Sequence, residues 1–348
     1  MKLKEFPSRE RFDALAHTCN VIPVCREILA DMETPVSLLK KCYDDAGKGP
    51  RTPLFLLESV EGGEKWGRYS FLGTSARTHV KVFADQVIIA ENGREEKILH
   101  GGDPLSILKA FMSRFQPAEM GELPRFWGGL VGYLTYEMVS FFERIPNRMS
   151  VDAPMAHFIL CDELLIFDNI RNTMICVAIV FTDGNPDATA AYDDAMTRLD
   201  AIEQRMATRA GDAAPEGVGD SSTMVPLLAA QTFRERVARV KEHIQQGDVI
   251  QAVISQPFQC SAPGDIIAIY RAQRYVNPSP YLYFFHFDEM ALVGSSPETM
   301  VRLENGVATL RPIAGTRPRG ASEQADRVLA SELLADEKER AEHLMLVD

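Results

Sequence analysis

Apolar and polar residues alternate along much of the first half of the chain, and this period of two predicts strands. The clearest case is Thr78–Leu99, where the alternation is broken by Asn92-Gly93, a dipeptide that favours the tight turn of a β-hairpin. A second run, Asp162–Phe181, is interrupted by a turn at Asn169–Asn172. Shorter strands are predicted over Leu54–Val60 and Phe126–Tyr133.

Helices are predicted where apolar residues recur at the spacing of a helical turn. Asp103 and Pro104 provide an N-cap and a first-turn proline, and an apolar stripe follows them. Later in the chain, Thr232 and Glu235 predict a capping box at the start of a helix that ends at Gly247. The other predicted helices are Arg9–His17, Pro35–Tyr43 and Glu323–Asp348.

Residues 204–226 interrupt this order, because they are rich in Ala, Gly, Asp and Ser and have no periodic apolar pattern. We predict a first domain over 1–203, a linker or mobile loop over 204–226, and a second domain over 227–348. Several hairpins mixed with a few helices favour the α+β class, built on antiparallel sheets. The strands predicted after the linker are Val249–Gln256, Tyr281–Phe287, Ala291–Ser295 and Thr299–Leu303.

Composition and charge exclude several classes of function. The 348 residues suffice for two domains and carry a formal net charge of −12. An acidic surface repels nucleic acids and anionic membranes, so neither is an expected partner. No apolar run approaches the about 20 residues that span a bilayer, and the charged start is unlike a secretory signal. The six cysteines form no CxxC pair and are typical of a cytoplasmic protein.

The polar segment Arg311–Gly320 follows a predicted strand and reads RPIAGTRPRG. Its glycines permit close approach of the backbone to a ligand, and its three arginines provide forked donors for carboxylates. Thr316 adds a hydroxyl group. On composition alone, a basic surface turn is an equally good interpretation.

Glu339 and Glu342 lie three residues apart in the last predicted helix and therefore share one face. Two adjacent carboxylates repel unless a cation joins them, and Mg²⁺ prefers oxygen ligands while it keeps several waters. On spacing alone, a solvated helix surface is the better interpretation, and Asp336 with Glu339 also suits a capping box. Gln251, within Val249–Gln256, is the one residue there that a purely structural strand does not explain.

The polar loop resembles the substrate loop of the chorismate-utilising enzymes in its anthranilate synthase form. This resemblance implies that Gly315 and Thr316 bind chorismate and that Thr316 is catalytic. Ala314 favours the anthranilate branch, since the similar aminodeoxychorismate synthases have lysine there. The resemblance also implies a fold in which antiparallel sheets form a large sandwich with surrounding helices. In that fold, 1–203 would be the family's N-terminal domain and 227–348 its chorismate-binding domain.

The carboxylate helix resembles the family's metal motif, which implies Mg²⁺ as cofactor. Glu342 would be a direct ligand, and Glu339, which we also predict to be catalytic, would bind the metal directly or through water. Gln251 occupies the position at which the similar isochorismate synthases have a lysine that activates water. Glutamine is no base near neutral pH, so the resemblance implies a catalytic Gln251 that orients substrate or ammonia by hydrogen bonding.

Two further segments resemble the halves of the family's feedback site for L-tryptophan, although each alone is an ordinary strand end or proline turn. In the first half, Glu58 offers a carboxylate for an ammonium group and Ser59 a hydroxyl. In the second half, Pro280 and Tyr281 offer flat apolar walls, and Leu282 replaces a methionine that many members have. The exchange conserves volume, so we expect it to have little consequence.

The function implied is the Mg²⁺-dependent conversion of chorismate and ammonia to anthranilate and pyruvate, the first committed step of tryptophan biosynthesis. A glutamine amidotransferase subunit would supply the ammonia within a hetero-oligomer. The family continues beyond the position of Asp348 with further catalytic and metal-binding residues, so we expect this chain alone to be inactive. Two alternatives remain: an aminodeoxychorismate synthase component, and a non-catalytic module that binds tryptophan.

Overall fold

The computed structural model describes residues 1–46, 53–59, 67–147, 149–182, 188–207, 223–261, 265–287 and 290–348. The chain divides into two compact units. One comprises Met1–Ala210 with Tyr270–Asp348, and the other comprises Gly211–Ile269. The predicted linker 204–226 begins inside a helix, and its residues 208–222 lie outside the described residues.

The strands, in chain order, are β1 Lys2–Phe6, β2 Val21–Leu29, β3 Leu54–Glu58, β4 Tyr69–Gly73, β5 Thr78–Val82, β6 Gln86–Glu91, β7 Arg94–Leu99, β8 Leu130–Leu134, β9 Ala156–Leu160, β10 Glu163–Asp168, β11 Thr173–Phe181, β12 Val225–Pro226, β13 Phe258–Gln259, β14 Tyr281–Phe287, β15 Met290–Ser296, β16 Arg302–Glu304 and β17 Val307–Thr309. The helices are α1 Arg9–Ala16, α2 Pro35–Ala46, α3 Pro104–Met112, α4 Ala188–Ala207, α5 Ala230–Gln246, α6 Ile266–Val276, α7 Glu323–Ala335 and α8 Glu337–Val347, with a 3₁₀ helix at Tyr136–Phe141.

The larger unit contains an eight-stranded sheet in the order β1-β2-β11-β10-β4-β3-β14-β15 and a five-stranded sheet in the order β7-β6-β5-β9-β8. Every neighbouring pair in both sheets is antiparallel. His157 of β9 stacks on Phe287 of β14 with ring centroids 4.3 Å apart, so the sheets are in contact. The predicted α+β sandwich of antiparallel sheets is therefore confirmed.

The hairpin at Asn92-Gly93 forms as predicted, because both turn residues adopt positive φ angles, 52° and 74°. Glu91 and Arg94 are the last partners before this turn. The apolar positions of the five-stranded sheet and α3 form a core in which Val80, Val82 and Val87 are fully buried, with Phe111 of α3 against them. Asp103 caps α3 by accepting a hydrogen bond from the Ser106 N–H.

Helices cover the opposite face of the eight-stranded sheet. Tyr43 of α2 contacts Phe284 edge-on at 6.3 Å, and Tyr270 of α6 contacts the same ring at 5.9 Å. Phe284 is fully buried between them. This face of β3 and β14 therefore lies under α2 and α6. Within the described residues, no helix is both long and apolar enough to cross a membrane.

The smaller unit differs from the prediction in two places. Helix α5 begins earlier than predicted, with Ala229 as N-cap, and Glu235 accepts a hydrogen bond from Gln231 instead of completing a capping box with Thr232. The predicted strand Val249–Gln256 is absent, since only β12 and β13 pair in the described part of this unit. Apolar residues favour a strand where a partner strand takes up their backbone hydrogen bonds and the sheet face is packed, and Val253 here remains 91% exposed.

The last predicted helix also differs from the prediction, because it is two helices, α7 and α8. Asp336 separates them with extended backbone, φ −68° and ψ 116°. Its carboxylate accepts hydrogen bonds from the N–H groups of Lys338 and Glu339, which makes it the N-cap of α8. The strand predicted over Thr299–Leu303 is shorter and begins at Arg302, where β16 pairs with β17.

Candidate functional site

Strands β3 and β14 bring together the two segments that predict an effector pocket. Glu58 pairs directly with Leu282, and Leu57 pairs with Tyr283. Directly opposed residues of an antiparallel pair point to the same face, so the Glu58 and Leu282 side chains are neighbours. Both are buried, at 6% and 1% exposure. Ser59 follows the last residue of β3 and is half-buried.

The Glu58 carboxylate has two partners on helix α6. The Tyr270 hydroxyl donates a hydrogen bond of 2.5 Å to Oε2, and the Arg274 Nε lies 3.3 Å from the same oxygen. Burial raises the pKa of Glu58, and the contacts with Tyr270 and Arg274 oppose that shift. Burial and the neighbouring Glu58 carboxylate raise the pKa of Tyr270, so its hydroxyl stays a donor at neutral pH.

Tyr270 and Arg274 were not predicted as members of this site. They lie four residues apart on one face of α6, a spacing that brings two side chains to the same neighbour. This signal was readable in the sequence, since α6 ends just before the Asn277-Pro278 turn. Its link to Glu58 depends on the sheet register, which the sequence does not display.

The second segment of the predicted effector pocket is a tight turn that enters β14. Ser279 is 2% exposed, and its Oγ accepts a hydrogen bond of 3.2 Å from the Tyr281 N–H. The Tyr281 hydroxyl accepts a hydrogen bond from the Thr299 hydroxyl. Pro280 and Tyr281 are both half-buried. The turn therefore holds two partly accessible apolar side chains at the end of the strand that carries Leu282.

The polar loop 311–320 has no regular secondary structure and follows β17. Gly315 has a φ of 77°, a left-handed conformation that favours glycine. A Cβ at this position would lie 2.8 Å from Oε2 of Glu339 and 3.0 Å from Cδ1 of Leu333. Glycine is therefore required twice here, for its backbone angle and for the close approach of the loop to α8. Thr316, the next residue, is exposed.

Arg317 connects this loop to the start of α8. Its Nη2 lies 2.6 Å from Asp336 Oδ2, and its Nη1 lies 3.5 Å from Glu339 Oε1. Hydrogen bonds from the Glu339 N–H, from Arg317 and from the Lys338 N–H lower the pKa of Asp336. A further arginine of the loop, Arg319, pairs with Asp326 of α7 at 2.7 Å. Two of the three arginines thus hold the loop against helices α7 and α8.

Glu339 and Glu342 both lie on α8 and are half-buried. Among the described residues, no group of three or more His, Cys, Asp and Glu side chains is placed to hold a metal ion. The donor chemistry of the pair nevertheless fits Mg²⁺, which commonly takes one or two protein carboxylates and keeps water for the rest. Glycine at position 315 lets the loop backbone approach Glu339 Oε2 closely, and Arg317 lies near the other oxygen of that carboxylate.

A cavity of about 740 Å³ lies beside the beginning of the loop. Its walls are mixed, with the charged or polar side chains of Glu298, Arg311 and His343 among apolar ones. The predicted residues Thr316 and Glu342 do not line it. The described residues that line it are Ser296, Glu298, Thr299, Met300, Leu310, Arg311, Pro312, His343, Leu346 and Val347.

Gln251, the remaining predicted catalytic residue, belongs to the smaller unit Gly211–Ile269. It is exposed and lies in a stretch without regular secondary structure. The other predicted site residues all belong to the larger unit. The role of Gln251 therefore stays a prediction.

Comparison with known proteins is consistent across sequence and structure. A family model described as chorismate binding enzyme matches residues 59–348. The anthranilate synthase component 1 of Acetivibrio thermocellus is 37% identical, over 99% of this chain and 69% of the relative. That of Pseudomonas aeruginosa is 40% identical, over 98% of this chain and 69% of the relative.

Two solved structures resemble the fold. Anthranilate synthase component I from Streptococcus pneumoniae matches with a TM-score of 0.62 and 29% identity, over 83% of this chain and 62% of that chain. The menaquinone-specific isochorismate synthase from Escherichia coli matches with a TM-score of 0.55 over 98% of this chain and 66% of that chain. At 14% identity, the second likeness concerns the fold alone. The chain spans between 62% and 69% of the length of these four proteins.

Proposed function

Because this chain belongs to the chorismate-binding enzyme family, among the anthranilate synthase component 1 proteins, we propose that it acts in converting chorismate and ammonia to anthranilate, pyruvate and water. The family predicted from the motifs is thereby confirmed. The reaction, the cofactor, the amidotransferase partner and the feedback inhibition are our proposals for this protein.

One observation supports the proposal most: the close approach of Gly315 to Glu339, with Arg317 linking the loop to α8. The loop offers a hydroxyl and backbone N–H groups, and the helix offers two carboxylates on one face. A dianionic substrate with a ring carboxylate needs both donors and a bound cation to offset its charge. Because the two elements are in contact, their donors and carboxylates are close enough together to act on one substrate.

The roles of the chain's own residues follow from their chemistry. Thr316 and the backbone at Gly315 would donate hydrogen bonds to chorismate and hold its ring in place. Glu342, with Glu339 directly or through water, would hold Mg²⁺, which supplies neutralisation of the ring carboxylate. Ammonia attacks the ring as the hydroxyl group leaves, and the elimination of pyruvate then makes the ring aromatic. Gln251 would orient substrate or ammonia.

We also propose that L-tryptophan binds at Glu58, Ser59, Pro280, Tyr281 and Leu282 as a feedback inhibitor. The β3–β14 register supports this, because it joins the two predicted halves on one strand pair. A glutamine amidotransferase subunit would deliver ammonia. The proposed assembly is therefore a hetero-oligomer whose activity responds to the end product.

To test the reaction, the chain is mixed with chorismate, Mg²⁺ and an ammonium salt, with and without an amidotransferase subunit. The formation of anthranilate is followed by its fluorescence. Calorimetry measures chorismate binding in parallel. We expect chorismate binding that Thr316→Ala weakens at least tenfold, and anthranilate as the product wherever turnover occurs. An aminodeoxychorismate product would contradict the proposal. Tryptophan binding with neither chorismate binding nor product would instead indicate a regulatory module.

A further inference from the structure

The carboxylate expected to receive an effector's ammonium group already has a cation next to it. Arg274 Nε lies 3.3 Å from Glu58 Oε2, and the Tyr270 hydroxyl reaches that same oxygen. The Glu58 side chain is only 3% exposed. A buried carboxylate is costly without a partner, so whatever replaces Arg274 must also be a cation or a strong donor.

The two partners differ in their freedom to move away. Tyr270 is fully buried and contacts Phe284 edge-on, so it is fixed by the packing of α6 on the sheet. The Arg274 side chain is 42% exposed, and a guanidinium that leaves Glu58 can be solvated directly. Arg274 is therefore the exchangeable partner, and Tyr270 is the permanent one.

We propose that Arg274 is an internal competitor for the effector site: its guanidinium occupies the cation position at Glu58 and is displaced by the ammonium group of the bound amino acid. This inference rests on the proposed effector role of the Glu58–Leu282 pocket. Arg274 lies on α6, three residues before Asn277 and on the segment that enters β14 through Pro280 and Tyr281.

The competition predicts the direction of a mutational effect. Arg274→Gln removes the competing cation, so L-tryptophan should bind more tightly, by roughly three- to tenfold at low salt. Arg271→Gln is the matched control, because Arg271 is an exposed arginine on the same helix. It removes an equal charge and should change the dissociation constant less than twofold. Arg274→Lys keeps a cation and should stay near the wild-type value.

Isothermal titration at pH 8 measures these constants for the chain, with N-acetyl-L-tryptophan as a second probe. This analogue has no ammonium group, so it cannot take the place of Arg274 beside Glu58. Its affinity should therefore not increase in Arg274→Gln. Thermal melts without ligand establish that each variant is folded. Should Arg274→Gln not fold, Arg274→Lys and Arg274→Met, which keep the aliphatic stem, provide the same comparison.

The outcomes separate the two proposals. If Arg274→Gln binds L-tryptophan with the same affinity as Arg271→Gln, or with a lower one, the proposed competition is wrong. The proposed effector site would still stand, because tryptophan binds. Binding that appears only in Arg274→Gln supports the competition in its strongest form. If neither the wild type nor any variant binds L-tryptophan, both the effector role and the competition are wrong. The proposed anthranilate reaction is tested separately, by the fluorescence assay.

Discussion

Glu58 and Leu282 are direct partners in the register of β3 and β14, and both side chains are buried on the face covered by α2 and α6. A register shift of one residue would turn Glu58 to the opposite face of the sheet. The pairing therefore decides which residues can contribute to an effector pocket. It also places Tyr270 and Arg274 within reach of the carboxylate.

L-tryptophan should raise the melting temperature of the chain, and L-phenylalanine should not, because a ligand that binds only the folded state stabilises it by mass action. Glu58→Gln should abolish most of this shift by removing the charge that pairs with the ammonium group. Leu282→Met is the matched control, since it conserves volume and should retain the shift. Ser59→Ala should reduce the shift. An equal shift in Glu58→Gln and wild type would contradict the pocket.

Gly315→Ala should weaken chorismate binding by at least tenfold. The new Cβ would overlap Glu339 Oε2, 2.8 Å away, in addition to a cost of about 1–2 kcal/mol for the left-handed backbone. Gly306→Ala provides the control, because Gly306 has a similar φ of 78° but nothing within 4 Å of its added Cβ. Calorimetry with chorismate and a thermal melt separate the two causes. Equal effects of both substitutions on binding would refute a special role for the loop–helix contact.

Asp336→Asn should detach the loop from α8, because Asp336 both caps the helix and receives Arg317 at 2.6 Å. Arg317→Gln should have the same effect, and the double variant should lose little more than either single variant. Hydrogen exchange of 311–320 and 336–347 reports this, with Arg319→Gln as a control that leaves Asp336 paired. Additive increases in exchange would show that the two residues act separately.

The pH dependence of this capping follows from the lowered pKa of Asp336. A carboxyl group whose folded pKa lies below its usual value of 3.8 adds stability above that value. The added stability is lost as the pH falls through the folded pKa. Protection of α8 should therefore persist at pH 5 and decline below about pH 4, and Asp336→Asn should remove that decline.

His157 should make the larger unit less stable in mild acid. Burial, together with the nearby Lys81 and His79, lowers the pKa of His157 to about 3. The ring therefore stays neutral in the folded protein, whereas in the unfolded chain it takes up a proton near the usual pKa of 6.5. Stability therefore falls as the pH drops from 6.5 toward 3, by about 1.4 kcal/mol at pH 5.5. Urea titrations of His157→Phe, which keeps an aromatic ring against Phe287, should show a smaller loss.

The exposed His17 is the control for this measurement, and His17→Gln should keep the wild-type pH dependence. A loss of stability between pH 7.5 and 5.5 that is unchanged in His157→Phe would assign the effect to other groups. The comparison is direct because both substitutions remove one imidazole.

Local patterns in the sequence predicted many of the elements. The Asn92-Gly93 hairpin, the Asp103 cap and the stop at Gly247 all depend on contacts within a few residues, so the sequence contains their whole cause. The prediction was wrong where long-range burial decides the outcome. Val249–Gln256 has the composition of a strand, yet in the described structure no partner strand buries it.

The motifs also determined the family, because the chemistry of the loop and the spacing of the carboxylates depend only on which residues stand at which positions. What only the tertiary structure decided is the set of partners for those residues. Glu58 meets Leu282, Tyr270 and Arg274 through the register of a sheet and the packing of one helix. Arg317 meets Asp336 at the position where extended backbone divides the last helical segment into two. Such pairings join residues that are distant in the chain. They contribute to the stability of the fold only after the sheet and helices have packed.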